Sequence, residues 1–366
     1  EIAGLPIRVP MLNIHTVGAG GGSIARFDSG GALRIGPESA GADPGPICYG
    51  KGTLPTVTDA NLLLGRLRAD DFLGGSFTLE RERTERLCKK WLQQQGSKWT
   101  LQQLAEGIIR VVNANMEKAI RVVSVEKGHD PRDFSLVAFG GAGALHACEL
   151  AEALDIPRVM VPAMPGALSA IGILLSDVVK DYSQTVLFTV AAQAGWPQSA
   201  LRGRFRKLRA QAIKEFAEEG WKGRVQFRES LDLRYQGQGF EISIPMAGDP
   251  LRAFHQEHLR RFGYAKPERA VEIVTIRLRA WQPSPTAHHD VAASSAGQMD
   301  GRPSARSSVV FAGKGRPAAI IARDVLGKAA IAGPAIVTEY SATTVIPPGW
   351  TGRLDAAGNL LLQPKK

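Results

Sequence analysis

Cysteine is scarce. Cys48, Cys88 and Cys148 are the only three in 366 residues, and they lie far apart. That spacing excludes a disulfide framework and every paired-cysteine metal motif, and it suits a reducing, cytoplasmic setting. No apolar run approaches the roughly 18 residues that a membrane helix needs. No Gly-x-x-x-x-Gly-Lys-Ser/Thr run occurs, which excludes a P-loop. There is no signal peptide and no initiator methionine, so the opening at Glu1 reads as a processed or truncated product.

Basic residues number 45 and acidic residues 35, for a net charge of +10. The densest basic run is Arg202, Arg204, Arg206, Lys207 and Arg209. Leu201, Phe205, Leu208, Ala212 and Phe216 recur through it at helical spacing, which makes the arginines the solvated face of an amphipathic helix. No nucleic-acid signature accompanies the run, so no nucleic-acid partner is expected.

Glycine, by contrast, is abundant, with 40 residues. The stretch Phe139-Gly140-Gly141-Ala142-Gly143-Ala144-Leu145-His146-Ala147 follows an apolar run, Leu136 to Phe139, that reads as a buried strand. An apolar helix from Leu145 to Leu154 comes after it. Strand, glycine turn and helix start together form a common nucleotide-binding element: the turn admits a ligand to the backbone, and the free N–H groups favour negative charge. The bland alternative is a tight turn that only lets strand and helix pack. Gly141 and Gly143 approach a dinucleotide fingerprint, but His146 fills the third glycine position. The next strand, Arg158 to Val161, ends in Pro162-Ala163 and not in an acidic residue, so NAD is rejected.

A second glycine-rich stretch, Thr16 to Ser23, precedes a hairpin, Ile24 to Phe27 and Ala32 to Ile35, across Asp28-Ser29-Gly30-Gly31. Gly36 to Pro46 reads as irregular, with Glu38 and Asp43 placed to hold a metal or shape a pocket, or simply as a rigid surface loop. Thr58 or Asp59 then serves as N-cap of a short helix ending near Gly65; the sharper role for Asp59 is a carboxylate that orders Mg²⁺ or water. Leu104, Ile108, Val111, Asn115, Ala119, Val122 and Val123 mark one face of a long helix that Gly128 and Asp130-Pro131 end. Ala167 to Ser176 reads as a closely packed helix. From Tyr182 the order strand, helix, strand, strand, helix, strand suits a split-βαβ-like layer. His255 and His258 share one face there, but two histidines are at most half a metal site, and packing is favoured. His288-His289 falls in a polar linker, and the tail is a run of short β segments.

Several of these stretches resemble signatures of the hydantoinase A/oxoprolinase family: Ile14-His15-Thr16 through Ile24-Ala25, Gly36 to Pro46, Pro55 to Asn61 and Phe139 to Ala147. The similarity continues through Arg234-Tyr235-Gln236-Gly237-Gln238 and Gly333 to Val337 to Pro347-Pro348-Gly349-Trp350. The resemblance implies an α/β fold: an actin-like ATPase (ribonuclease H-like) lobe, then a small α+β layer and a C-terminal β module. The expected divisions are 1–184, 185–282, a linker at 283–306, and 307–366. It implies part of an ATP-dependent hydrolase of cyclic amides (hydantoin, 5-oxoproline or lactam) that phosphorylates the amide oxygen before ring opening, with ATP and Mg²⁺ as cofactors. An ATP-dependent ketone carboxylase subunit and a non-catalytic assembly subunit are the alternatives. The implied partner is a hydantoinase B-like subunit.

Carried over onto this sequence, Gly140, Gly141 and Gly143 resemble the adenosine-side loop, with His146 capping or touching the nucleotide or packing. Gly18, Gly20, Gly21, Gly22 and Ser23 are expected near the phosphates or the interlobe cleft. His15, Asp43 and Asp59 are the candidate catalytic residues, with Asp59 the candidate Mg²⁺ ligand. The two Asp-x-Gly-Gly-Thr phosphate loops of actin-like ATPases are missing here. The resemblance therefore implies roughly the C-terminal half of an enzyme, lacking complete ATPase activity alone.

Overall fold

A computed structural model describes residues 14–191, 195–284, 305–327 and 329–365. Two compact units emerge, one from the described residues of Glu1–Ala170 and Asp290–Lys366, the other from those of Ile171–His289. The first opens with β1 (Ser23–Phe27) and β2 (Leu33–Ser39), paired antiparallel. Asp28 shapes their turn by accepting N–H bonds from Gly30 and Ala32. The strand runs through Gly36 to Ser39, so the segment read as irregular is partly regular. Glu38 lies on β2, bonded to Arg26 at 3.1 Å.

Helices α1 (Val57–Leu63), α2 (Arg81–Gln94) and α3 (Leu101–Val123) follow. Thr100 caps α3 in a reciprocal box with Gln103, which satisfies two of the free amides at the helix start. Leu104, Ile108 and Val112 of α3 bury against Val57, Ala60, Trp91 and Ile35. Fully burying a side chain such as Leu104 contributes about 1.5–3 kcal/mol.

Next come β3 (Leu136–Val137), α4 (Gly143–Ala153), β4 (Val159–Val161) and α5 (Leu168–Leu175). Here two expectations fail. β3 is a two-residue edge strand bonded only to β4, so Val137 is 46% and Phe139 52% exposed instead of buried. No residue of α5 is buried, and Ile173 is 77% exposed, so this is not a closely packed helix.

The second unit holds β5 (Val178–Val190), α6 (Gln198–Glu218), β6 (Gln226–Tyr235), β7 (Ile242–Pro245), α7 (Pro250–Phe262) and β8 (Val271–Gln282). The sheet order β5-β8-β6-β7 inserts β8 between β5 and β6, the split arrangement. Pairing of β5 with β8 runs from Val178 to Val190, so the expected boundary at 184/185 would cut a strand in two. Leu201, Phe205, Ala212 and Phe216 turn the inner face of α6 to the sheet. Arg204 lies over Phe188 and Arg209 over Phe227, which leaves the rest of the basic run solvated.

Back in the first unit are β9 (Ala305–Phe311), β10 (Lys314–Ala322), β11 (Ile331–Ala332), β12 (Ala335–Glu339), β13 (Ala342–Ile346), β14 (Trp350–Leu354) and β15 (Leu360–Pro364). Most of the expected linker, 285–304 with its His288-His289, lies outside the described residues. The tail is not a module apart. β15 pairs antiparallel with β4, giving a sheet in the order β11-β14-β15-β4-β3. Ala144, Ala147 and Ala151 of α4 share one core with Val337, Ile346, Trp350, Leu360 and Leu362. Small side chains on α4 let the helix lie close to these strands. A chain ending at Gly349 loses β14, β15 and three of those core residues. Limited proteolysis read by mass spectrometry should then find the first unit open to cleavage throughout; survival of an intact body over 14–170 would contradict the shared core.

Candidate functional site

The site begins with a helix cap. Thr56, not Thr58 or Asp59, is the N-cap of α1, and Asp59 completes the box from the third helical position. Asp59 is fully buried. Its Oδ2 accepts from the Thr56 amide (2.9 Å), the Thr56 hydroxyl (2.8 Å) and the Ile47 amide (3.1 Å); its Oδ1 accepts from the Cys48 amide (2.8 Å). Burial pushes the carboxyl above its ordinary range, while those donors pull it back. These donors give Asp59 a structural role in joining α1 to the 47–48 segment. Among the described residues no group of three or more His, Cys, Asp or Glu could hold a metal.

The cap also fixes the first glycine stretch. The Thr58 amide (2.8 Å) and hydroxyl (2.9 Å) both donate to the Gly21 carbonyl. A Cβ on Gly21 would stand 2.8 Å from the Thr58 hydroxyl oxygen, so only glycine permits this approach. Ser23 closes the turn from within: its hydroxyl accepts the Gly20 amide at 3.0 Å. Gly18 packs on Pro37 and Gly22 on Ser39.

The second glycine stretch arrives from the other side. Gly140, at φ +82°, bonds its amide to the Pro165 carbonyl at 2.8 Å. Ala142 then starts α4 with no side-chain cap; the Leu145 amide bonds back to the Ala142 carbonyl at 3.1 Å, which leaves the Gly143 and Ala144 amides open among the described residues. The turn between β12 and β13 covers the same place: the Ser341 carbonyl would lie 3.3 Å from a Cβ on Gly141. Gly21, Gly22, Gly141, Ala142, Glu339 and Ser341 thereby line one cleft of about 210 Å³. Tyr49, Phe72 and Tyr340 add flat apolar walls, and Asp71 and Glu339 are its charged residues.

The cleft thus brings together Gly21, Gly22 and Gly141 of the predicted set, with Gly140 and Gly143 flanking. It does not gather the predicted catalytic residues. His15 is exposed and does not line the cleft. Asp43 is an exposed partner of Lys51 at 3.1 Å. His146 is 1% exposed and points into the unit, its Nδ1 2.7 Å from Asn113 Oδ1. Since that oxygen only accepts, Nδ1 carries the proton and donates, leaving Nε2 as a lone pair with no partner among the described residues. Asn113 donates to Glu149 at 2.6 Å, and Glu149 also pairs with Arg66 at 2.6 Å. Burial, helped by the Arg66 charge, pushes His146 down to about 3. It packs in the interior and does not line the cleft. The three cysteines are buried free thiols, pushed up by burial and hence unreactive. His258 is fully buried and bonded at both nitrogens, to the Tyr264 carbonyl and to Gln238. Sequence reasoning passed over Thr58 as a glycine-loop anchor and Glu339-Tyr340-Ser341 as a cleft wall. A signal for the latter exists: the polar run Thr338-Glu339-Tyr340-Ser341 follows the apolar Ala335-Ile336-Val337.

The family model for hydantoinase/oxoprolinase matches residues 1–182. The chain is 35% identical over 384 residues to the caprolactamase subunit alpha of Pseudomonas jessenii, covering 98% of this chain and 53% of that one. An uncharacterized protein of Methanocaldococcus jannaschii is 37% identical, over 99% of this chain and 52% of its own length. The 5-oxoprolinase of Dictyostelium discoideum is 33% identical, over 98% and 30%. This chain therefore spans about half the length of the first two relatives. Among solved structures, the ATP-dependent caprolactamase of Pseudomonas jessenii superposes with a TM-score of 0.66 at 33% identity, over 98% of this chain and 54% of that one. A nucleotide-free acetone carboxylase superposes at 0.85 and 22% identity, over 94% and 52%, a likeness of fold.

Two substitutions check this geometry. Asp59→Ala leaves buried amides without acceptors and should lower unfolding stability by about 3 kcal/mol or more in urea titration; near-native stability would contradict that structural role. For His146, the folded state resists protonation while the unfolded chain accepts a proton below its ordinary pKa of about 6.5. Stability attached to neutral His146 is complete above that pH and is lost as pH falls toward 3. The slope is at most about 1.4 kcal/mol per pH unit. Unfolding measured between pH 7 and 4 should be less steeply pH-dependent in His146→Asn than in the parent; equal slopes would contradict the buried neutral ring.

Proposed function

This chain belongs, through residues 1–182, to the hydantoinase/oxoprolinase family, and from that premise we propose that it is part of an ATP-dependent cyclic-amide hydrolase. One observation carries the reading: two glycine turns far apart in sequence, Gly21-Gly22 and Gly140 to Gly143, meet across a cleft at an uncapped helix start. A scaffold for assembly alone has no need of an open, uncapped turn there. The mixed α/β unit that holds the cleft is proposed to be part of an actin-like ATPase core.

The cleft's composition suits one end of the nucleotide. Its described lining contains Asp71 and Glu339 and no Lys, Arg or His, so triphosphate charge is not neutralised by these side chains. Aromatic walls and glycine backbone suit the nucleoside, with the open amides of α4 facing the first phosphate. The cations and acidic loops for the remaining phosphates are assigned to a preceding half of a longer polypeptide, and Mg²⁺ to the phosphates without Asp59. ATP would supply the phosphoryl group that turns the amide oxygen into a leaving group. Water then adds at the carbon, the ring C–N bond breaks as the nitrogen leaves as an amine, and a second water cleaves the resulting acyl phosphate to carboxylate and phosphate. A hydantoinase B-like subunit is the proposed partner for ring opening.

The test is ADP release by a full-length polypeptide carrying this chain, co-expressed with a hydantoinase B-like subunit. Caprolactam, 5-oxoproline or hydantoin should stimulate it, and the 366-residue chain alone should not turn over ATP. Stimulation by acetone with bicarbonate and by no cyclic amide would contradict the reading and favour a ketone carboxylase. Robust hydrolysis by the isolated chain would contradict the division of the phosphate site.

A further inference from the structure

Glu339 is the last residue of β12 and lines the cleft, yet its side chain is only 12% exposed. Arg323 holds it: Nη1 donates to Glu339 Oε1 at 2.9 Å. Arg323 is itself fixed, because its Nη2 donates to the carbonyls of Val161 at the end of β4 (2.8 Å) and Gly358 between β14 and β15 (3.0 Å). Three separate parts of the first unit thus set the direction of one carboxylate. Its Oε2 accepts no hydrogen bond from the described residues. That oxygen only accepts. Arg323 already neutralises the pair, which makes Glu339 a poor ligand for a cation. Phosphate oxygens, like Oε2, only accept, so a phosphate is not its partner. What remains is a neutral group that donates hydrogen bonds and lies beside a flat ring.

We propose that Glu339 recognises the sugar of a nucleoside in this cleft, its outward oxygen accepting from the vicinal ribose hydroxyls. Ser341 and Thr343, which also line the cleft, supply further hydroxyls. Tyr340 is held beside them by Gly74, where a Cβ would meet its ring at 2.9 Å. This assignment rests on the nucleotide reading of the cleft, and one titration separates the two.

Calorimetry of the full 366-residue chain with adenosine and with 2′,3′-dideoxyadenosine reads the sugar directly, without any variant. Adenosine should bind about ten-fold more tightly. Glu339→Gln keeps an acceptor for Arg323 but offers the diol a neutral amide; it should bring adenosine down to the dideoxy level and leave dideoxyadenosine unchanged. Equal binding of the two nucleosides by the parent chain overturns the role of Glu339 while the nucleotide cleft stands. Binding of neither overturns both.

Discussion

A single buried carboxylate organises the functional face of this protein. Asp59 accepts hydrogen bonds from Ile47, Cys48 and Thr56. It thereby welds the start of α1 to the loop that follows the β1–β2 hairpin. Because α1 starts where it does, Thr58 meets the Gly21 carbonyl, and the first glycine turn is placed without any charged side chain of its own. An ionised group without water is expensive, and the donors that make it tolerable are backbone amides of irregular segments. Those segments gain order in return. The same donors that order these segments occupy both oxygens of Asp59.

The cleft is a meeting of remote strands and turns more than a local motif. Gly21 comes from before the hairpin, Gly141 from between β3 and α4, and Ser341 from the β12–β13 turn. What brings the last of these in is the insertion of β15 beside β4 and the shared core beneath α4. The polar chain from Arg66 through Glu149 and Asn113 to His146 runs below the same helix. Electrostatically the cleft is acidic in its side chains and donor-rich only at the α4 amides, in a chain whose overall charge is +10. Net charge therefore says nothing about the ligand.

How far the sequence announced this depends on the range of the forces involved. The β1–β2 hairpin, α3, α6 and α7 were legible because capping, turn chemistry and periodicity act over a few residues. The glycine turns were legible as turns, and their family resemblance pointed to one site. The exposure of Phe139 was not, because an apolar run does not reveal that its strand lies at a sheet edge. Nor was the apolar but unburied α5. The pairing of β15 with β4 spans most of the chain, and a run of short strands looks the same whether it folds alone or completes another sheet. His146 and Asp59 were drawn into the chemistry because His and Asp are reactive types; their burial is a tertiary fact. Glu339 went unseen because its meaning comes from Arg323, which is itself held by the carbonyls of Val161 at the end of β4 and Gly358 in the β14–β15 turn.

The central claim is that the three remote segments form one ligand site. Hydrogen exchange of the chain, followed by mass spectrometry with and without ADP, tests it most directly. Slowed exchange appearing together at 20–23, 141–145 and 340–343, at the same ADP concentration, is the predicted result. Protection of only one of these segments, or protection confined to 178–282, would contradict it.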